Sequence, residues 1–100
     1  MSTNALTILE KEFGKLSFAQ MLHSIRTTDE VSQTELATLV GVSKGLICDI
    51  EKGRRLPTIE QAANMALALG YPVEGFVSIL IQEQLKKANL KMKVTLKRAS

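Results

Sequence analysis

Residues 41–57, GVSKGLICDIEKGRRLP, put two lysines, an aspartate, a glutamate and two arginines between a Gly-bearing turn and a basic loop. On a helical wheel Leu46, Ile47 and Ile50 share one side, while Lys44, Gly45, Cys48, Asp49 and Lys52 share the other. The first side must pack. The second holds no strong apolar residue, and its groups carry charge and exchange hydrogen bonds, which suits recognition of a polar partner better than bond breaking.

Catalysis finds little to work with elsewhere. His23 is the one histidine and Cys48 the one cysteine, so neither a His/Cys metal cluster nor a disulfide framework can be assembled. No glycine-rich phosphate loop stands beside a strand, and the usual hydrolytic, redox and nucleotide-dependent constellations lack parts. The chain is expected not to be an enzyme and to need no cofactor. Cys48 has three open readings: an ordinary small residue, a contact to the polar partner, or a redox switch.

The 100 residues suffice for one compact domain, with 45% hydrophobic content but only 4% aromatic, which suits a helical core of aliphatic side chains. A formal charge of +3 is mild, but its distribution is uneven. Basic against acidic groups number three to five in residues 1–40, four to three in 41–60 and six to two in 61–100. The N-terminus lacks a cationic start followed by an apolar run, and residues 76–81 are too short to span a bilayer. A cytoplasmic location without membrane attachment is the expectation.

Helix starts are written plainly in the chain. Ser17-Phe-Ala-Gln20, Ser32-Gln-Thr-Glu35 and Thr58-Ile-Glu-Gln61 each match the capping box, in which the first side chain caps the third helical N–H and the Gln or Glu reaches back. They predict helices over 18–26, 33–40 and 59–69, the last closed by Gly70. Ser43 and Gly53 bracket a further short helix over 44–52.

Pro72 suits the first turn of a fifth helix, whose Val73, Phe76, Val77, Leu80 and Ile81 follow helical spacing, with Ile79 widening the stripe. That breadth has two readings, core packing or an association surface. Beyond Asn89, Leu90, Met92, Val94 and Leu96 alternate with Lys91, Lys93, Thr95 and Lys97, which predicts a strand. A lone strand needs a partner: the N-terminal segment, a second subunit or another protein. Residues 5–13, ALTILEKEF, fit a short helix or an extended segment equally.

The helix over 33–40 offers Leu36, Ala37 and Val40 to the apolar side of 44–52, and Gly41, Val42 and Ser43 make a three-residue turn between them. Helix, tight Gly turn and helix form a helix-turn-helix, whose second helix can enter a major groove.

Residues 17–70 resemble the Cro/CI-like, or XRE-type, regulators related to phage repressors. The resemblance rests on Ser32-Gln33, Leu36-Ala37, Gly41-Val42-Ser43, Ile47, Ile50-Glu51, Gly53, Pro57 and the Leu-Ala-Leu-Gly that ends at Gly70. It implies a mainly α, five-helix lambda-repressor-like DNA-binding domain, extended here by a C-terminal strand. Residues 1–16 would be an N-terminal extension, and 71–100 a C-terminal helix and strand for dimerisation.

The resemblance carries roles to particular positions. Gln33 matches a phosphate-bonding glutamine, and Lys44, Gly45 and Asp49 match positions that read base edges. Ser43, Lys52, Arg54 and Arg55 fall where backbone contacts are expected. Lys44 suits guanine O6 and N7 as a donor, and Asp49 suits the cytosine amino group as an acceptor. Leu46 has two open readings, a thymine methyl contact or the edge of the core. Gly45 and Asp49 depart from the long polar side chains of many relatives. Glycine at 45 either permits close backbone approach or marks weakened base reading.

The function expected is a DNA-binding transcriptional regulator, a repressor acting as a homodimer on a short palindromic site. Val73, Phe76, Val77, Leu80 and Ile81, with Leu90, Met92, Val94 and Leu96, are the expected dimerisation residues. The competing reading is an antitoxin or other interaction module whose C-terminal strand binds a partner such as a cognate toxin. A weaker third is non-specific nucleic-acid binding.

Overall fold

A computed structural model describes residues 16–92 and 94–97. It contains five helices: α1 (Phe18–Thr28), α2 (Gln33–Val40), α3 (Lys44–Glu51), α4 (Ile59–Leu69) and α5 (Val73–Lys87). All three capping boxes form, with Ser17, Ser32 and Thr58 accepting from the backbone N–H of Gln20, Glu35 and Gln61, and each Gln or Glu side chain reaching back. Their side chains satisfy N–H groups that the helices leave without partners, which is why these starts were readable. Helix α1 runs two residues past its expected end, to Thr28.

Each helix is followed by a residue in the left-handed region: Glu30, Gly41, Gly53, Gly70 and Asn89. At Gly41, φ is +80°, a value that costs a residue with a Cβ and lets the chain turn at once into α3. The next N–H, of Val42, returns to the carbonyl of Ala37 at 3.0 Å, which satisfies the end of α2 and fixes the turn.

The apolar faces meet in one core. Phe18, Met21, Leu22, Ile25, Leu36, Ile47, Ile50, Met65, Phe76 and Leu80 are fully buried. Helices α2 and α3 pack on each other, α1 lies against α3 and α5, and α4 bridges α2 and α5. Phe18 and Phe76 meet edge to face with centroids 5.9 Å apart, a geometry the ring quadrupoles favour. Beside them, burial and the charge of Asp29 push the Tyr71 hydroxyl's pKa above its ordinary value.

A contact distant in sequence closes the domain. The Glu83 carboxylate of α5 accepts the backbone N–H of Phe18, the first residue of α1, at 2.6 Å. An ionised acceptor at a helix start also complements the positive end of the helix dipole.

Two expectations for the C-terminal region need correction. No strand forms among the described residues, because no described segment pairs as a strand with residues 90–92 or 94–97. Instead the Gln82 carboxamide donates to the Met92 carbonyl at 2.6 Å and accepts the Val94 N–H at 3.1 Å. One side-chain amide thus does for two backbone groups what a neighbouring strand would do for a whole row.

The second correction concerns the apolar stripe of α5. Phe76 and Leu80 have no exposed surface, so they belong to the core and have nothing to offer a partner. Val73, Val77 and Ile81 are half-buried, as are Val94 and Leu96, while Leu90 and Met92 are exposed. The alternatives for residues 5–13, and residues 1–15 of the expected N-terminal extension, lie outside the described residues, as do Lys93 and Arg98.

Candidate nucleic-acid interface

Helix α3 is pinned along one side and open along the other. Ile47 and Ile50 are buried, and Leu46 packs on the rim of the core, so its core-edge role is the one observed. Lys44, Gly45 and Lys52 are exposed, Cys48 and Asp49 are half-buried, and Cys48 is a free thiol. An α-helix with its side chains is about 10–12 Å across and B-DNA's major groove is about 12 Å wide, so a helix such as α3 can enter it.

The N-terminal end of α3 is built by Ser43, whose hydroxyl oxygen accepts the Leu46 N–H at 3.1 Å. The hydroxyl proton remains to donate outward. Gly45 sits in the first turn, and a Cβ placed there would meet only the Ser43 hydroxyl oxygen, at an ordinary 3.8 Å. No protein atom demands glycine at this position.

At the other end Asp49 and Arg54 form an exposed ion pair, Oδ1 to Nη1 at 3.5 Å. The Arg54 N–H also returns to the Asp49 carbonyl at 2.9 Å, which seats the basic loop against the helix. Arg54 and Arg55 are exposed beyond it. Pairing with Arg54 tempers the repulsion that Asp49 would exert on phosphate.

Beneath this end lies a cluster that sequence reasoning missed. Arg26 of α1 grips Glu51 of α3 with both nitrogens of its fork, Nε to Oε2 at 2.6 Å and Nη2 to Oε1 at 2.9 Å. Its Nη1 donates to the Val31 carbonyl at 2.8 Å. The two side chains are only 10% and 5% exposed. Two further groups reach Glu51 Oε1 at 3.1 Å, Nδ1 of His23 and the amide Nε2 of Gln33.

Burial alone would push the Glu51 carboxyl up. The hydrogen bonds from Arg26, His23 and Gln33, together with the Arg26 charge, outweigh it and hold the group below the ordinary carboxylate value. The bond to Glu51 raises the Arg26 pKa against the opposing effect of burial. The legible signal was charge on two apolar stripes: Arg26 follows Leu22 and Ile25 as Glu51 follows Ile47 and Ile50. Opposite charges on two core-facing stripes predict a buried pair.

Gln33, expected at a phosphate, therefore has a protein partner as well, and one of its amide hydrogens remains to donate outward. The structure gathers Gln33, Asp49, Lys52, Arg54 and Arg55 around the C-terminal end of α3, with Ser43, Lys44 and Gly45 at its start. Among the described residues no group of His, Cys, Asp and Glu could hold a metal ion. No described helix is long and apolar enough to cross a membrane.

Five packed helices, with a Gly turn between α2 and α3 and a polar face on α3, define a helix-turn-helix DNA-binding domain. The family model described as helix-turn-helix matches residues 22–76, and the chain belongs to this family, in its Cro/CI-like, XRE-type branch. Members of the family bind DNA and regulate transcription, and the family is generally non-enzymatic. A comparison with curated proteins returns no match.

Proposed function

We propose that this protein is a sequence-specific transcriptional repressor that works in the cytoplasm as a homodimer, laying α3 of each copy in successive major grooves of a palindromic site. The observation that supports this reading is the two-sided build of α3. One side is locked by Ile47 and Ile50, while Lys44 and Gly45 are exposed and Asp49 half-exposed at the position of a groove-reading helix.

In this reading Lys44 donates to guanine, Asp49 accepts from cytosine, and the backbone of Gly45 approaches the base edges closely. Gln33, Ser43, Lys52, Arg54 and Arg55 hold the phosphates on either side and set the register. Two-fold symmetry would space the recognition helices by about 34 Å, one turn of DNA. Occupancy of a promoter would then exclude polymerase.

Fluorescence anisotropy tests this with DNA from immediately upstream of the protein's own gene, against a shuffled duplex, at two salt concentrations. A preference for the upstream DNA that survives the higher salt supports a specific regulator. Equal affinity for both duplexes would leave non-specific binding. Binding to neither, with a small stoichiometric partner on native purification, would favour the antitoxin reading.

A further inference from the structure

Beside the turn that leads from α2 into α3, the C-terminal turns of α2 and α4 leave a shallow apolar groove of about 460 Å³, lined by Leu39, Val40, Asn64, Leu67 and Ala68. Leu39 and Leu67 on its walls are 64% and 68% exposed, the most exposed large apolar residues among those described. Large apolar side chains side by side at the surface cost hydration free energy until something covers them. DNA is not that cover, because neither helix carries a basic residue and their only charges are Glu35 and Glu60.

The same molecule presents the complementary surface. Leu90 and Met92, at 46% and 57% exposed, project from the end of α5 among the exposed Lys86, Lys87, Lys91 and Lys97. This tip is apolar and basic, while the groove's lining is uncharged and the exposed Glu35 and Glu60 stand one helical turn before Leu39 and Asn64 on its margin. It is also held in place: the Gln82 amide fixes the backbone at Met92 and Val94. A tip already ordered in the free protein forfeits less entropy on docking. Gln82 holds the tip nine residues along α5, about 13 Å from the end of α5 that follows α4 and its Leu67, which favours a groove on another molecule.

We infer that the groove between Leu39 and Leu67 receives the Leu90 and Met92 tip of a second copy of this chain, an inference that rests on the homodimer reading above. The exchange is reciprocal, each copy giving its tip and taking its partner's, as a closed two-fold contact requires. Dimerisation thus uses the C-terminal ends of α2 and α4 together with the end of α5, and no residue of α3 lines the groove.

Disulfide capture between two distinguishable chains tests it. Both carry Cys48→Ser; one adds Leu67→Cys and the other, lengthened by a tag, adds Met92→Cys. The expected result is a mixed-size disulfide under mild oxidation, weakened about tenfold when the Leu67→Cys chain also carries Glu60→Lys and Asn64→Lys. Lys91→Glu on the tagged chain should restore it.

A protein that sediments as a dimer yet gives no mixed disulfide, or only Met92→Cys chains joined to each other, would overturn the groove and leave the homodimer standing. An internal disulfide in a monomeric chain carrying both cysteines would assign the groove to its own tip and overturn the exchange. A chain that stays monomeric alone and on DNA would overturn the exchange and the homodimer reading together.

Discussion

Gln33 and Glu51 share a hydrogen bond of 3.1 Å across 18 residues of sequence, and Glu51 in turn is gripped by Arg26. The first residue of α2 is thereby braced by the last residue of α3, through a carboxylate that also ties α3 to α1. The spacing of the two motif helices and the aim of the Gln33 amide therefore depend on one buried ion pair.

Removing one partner of that pair should be costly. Arg26→Met leaves the Glu51 carboxylate buried without its main counter-charge, with an expected loss of about 3–5 kcal/mol by urea denaturation. Arg26→Met combined with Glu51→Leu should recover most of it, since apolar groups of similar bulk need no counter-charge. A single variant as stable as the original chain would mean that water already solvates the pair.

Acid should act through the same carboxylate. Its pKa in the folded state lies below the ordinary 4.5, so the unfolded chain binds more protons around and below that pH. Its contribution to stability is complete above the ordinary value and is lost as pH falls from there through the depressed one. Urea midpoints measured across this range should fall less steeply in Glu51→Gln than in the unaltered protein; parallel curves would assign the acid sensitivity to other carboxylates.

Gly45→Ala separates folding from recognition. The added Cβ meets only an ordinary 3.8 Å contact, and replacing glycine in a helix gains about 1 kcal/mol. Thermal unfolding should report that gain. Weaker binding to the upstream duplex despite it would indicate that the bare backbone approaches DNA; unchanged binding would remove Gly45 from the base-contacting set.

The basic loop should reveal itself through salt. Replacing Arg54 and Arg55 together with Ala should reduce the slope of log affinity against log salt by about two on every duplex tried, if each neutralises one phosphate. Because Arg54 also pairs with Asp49, its loss exposes an unpaired carboxylate, and Arg54→Ala alone should weaken binding more than Arg55→Ala. An unchanged slope would make both arginines solvated loop charges.

Lys44→Ala is expected to cost roughly 1–3 kcal/mol on the preferred site and less on random DNA, as loss of a base contact requires. Titration of both duplexes by anisotropy gives the comparison. Equal losses would reassign Lys44 to the phosphate backbone.

The features that could be read from the sequence are those whose physics is local. A serine or threonine three residues before a glutamine or glutamate caps its own helix wherever that helix later packs, so α2 and α4 begin and end where their signals put them. The Glu51 cluster was not legible in the same way, since its donors come from α1 and the start of α2 and meet only once the helices dock. Alternation over residues 90–96 set Leu90, Met92, Val94 and Leu96 apart from their polar neighbours, yet only Val94 and Leu96 are half-buried while Leu90 and Met92 are exposed. It could not say whether a second strand existed, and a strand is a property of two segments. The stripe of α5 showed how much apolar surface there was, but not that α1 and α4 would consume Phe76 and Leu80.

The bond between Glu83 and the Phe18 N–H has a consequence for synthesis. A ribosome that has translated as far as Arg55 has already made every residue proposed to touch DNA, yet the carboxylate that closes α1 is still to come. The nascent motif helices can form while their core lacks Phe76 and Leu80, but the domain completes as a unit only after residue 83 has emerged. DNA-binding competence should thus arrive late in translation, all at once.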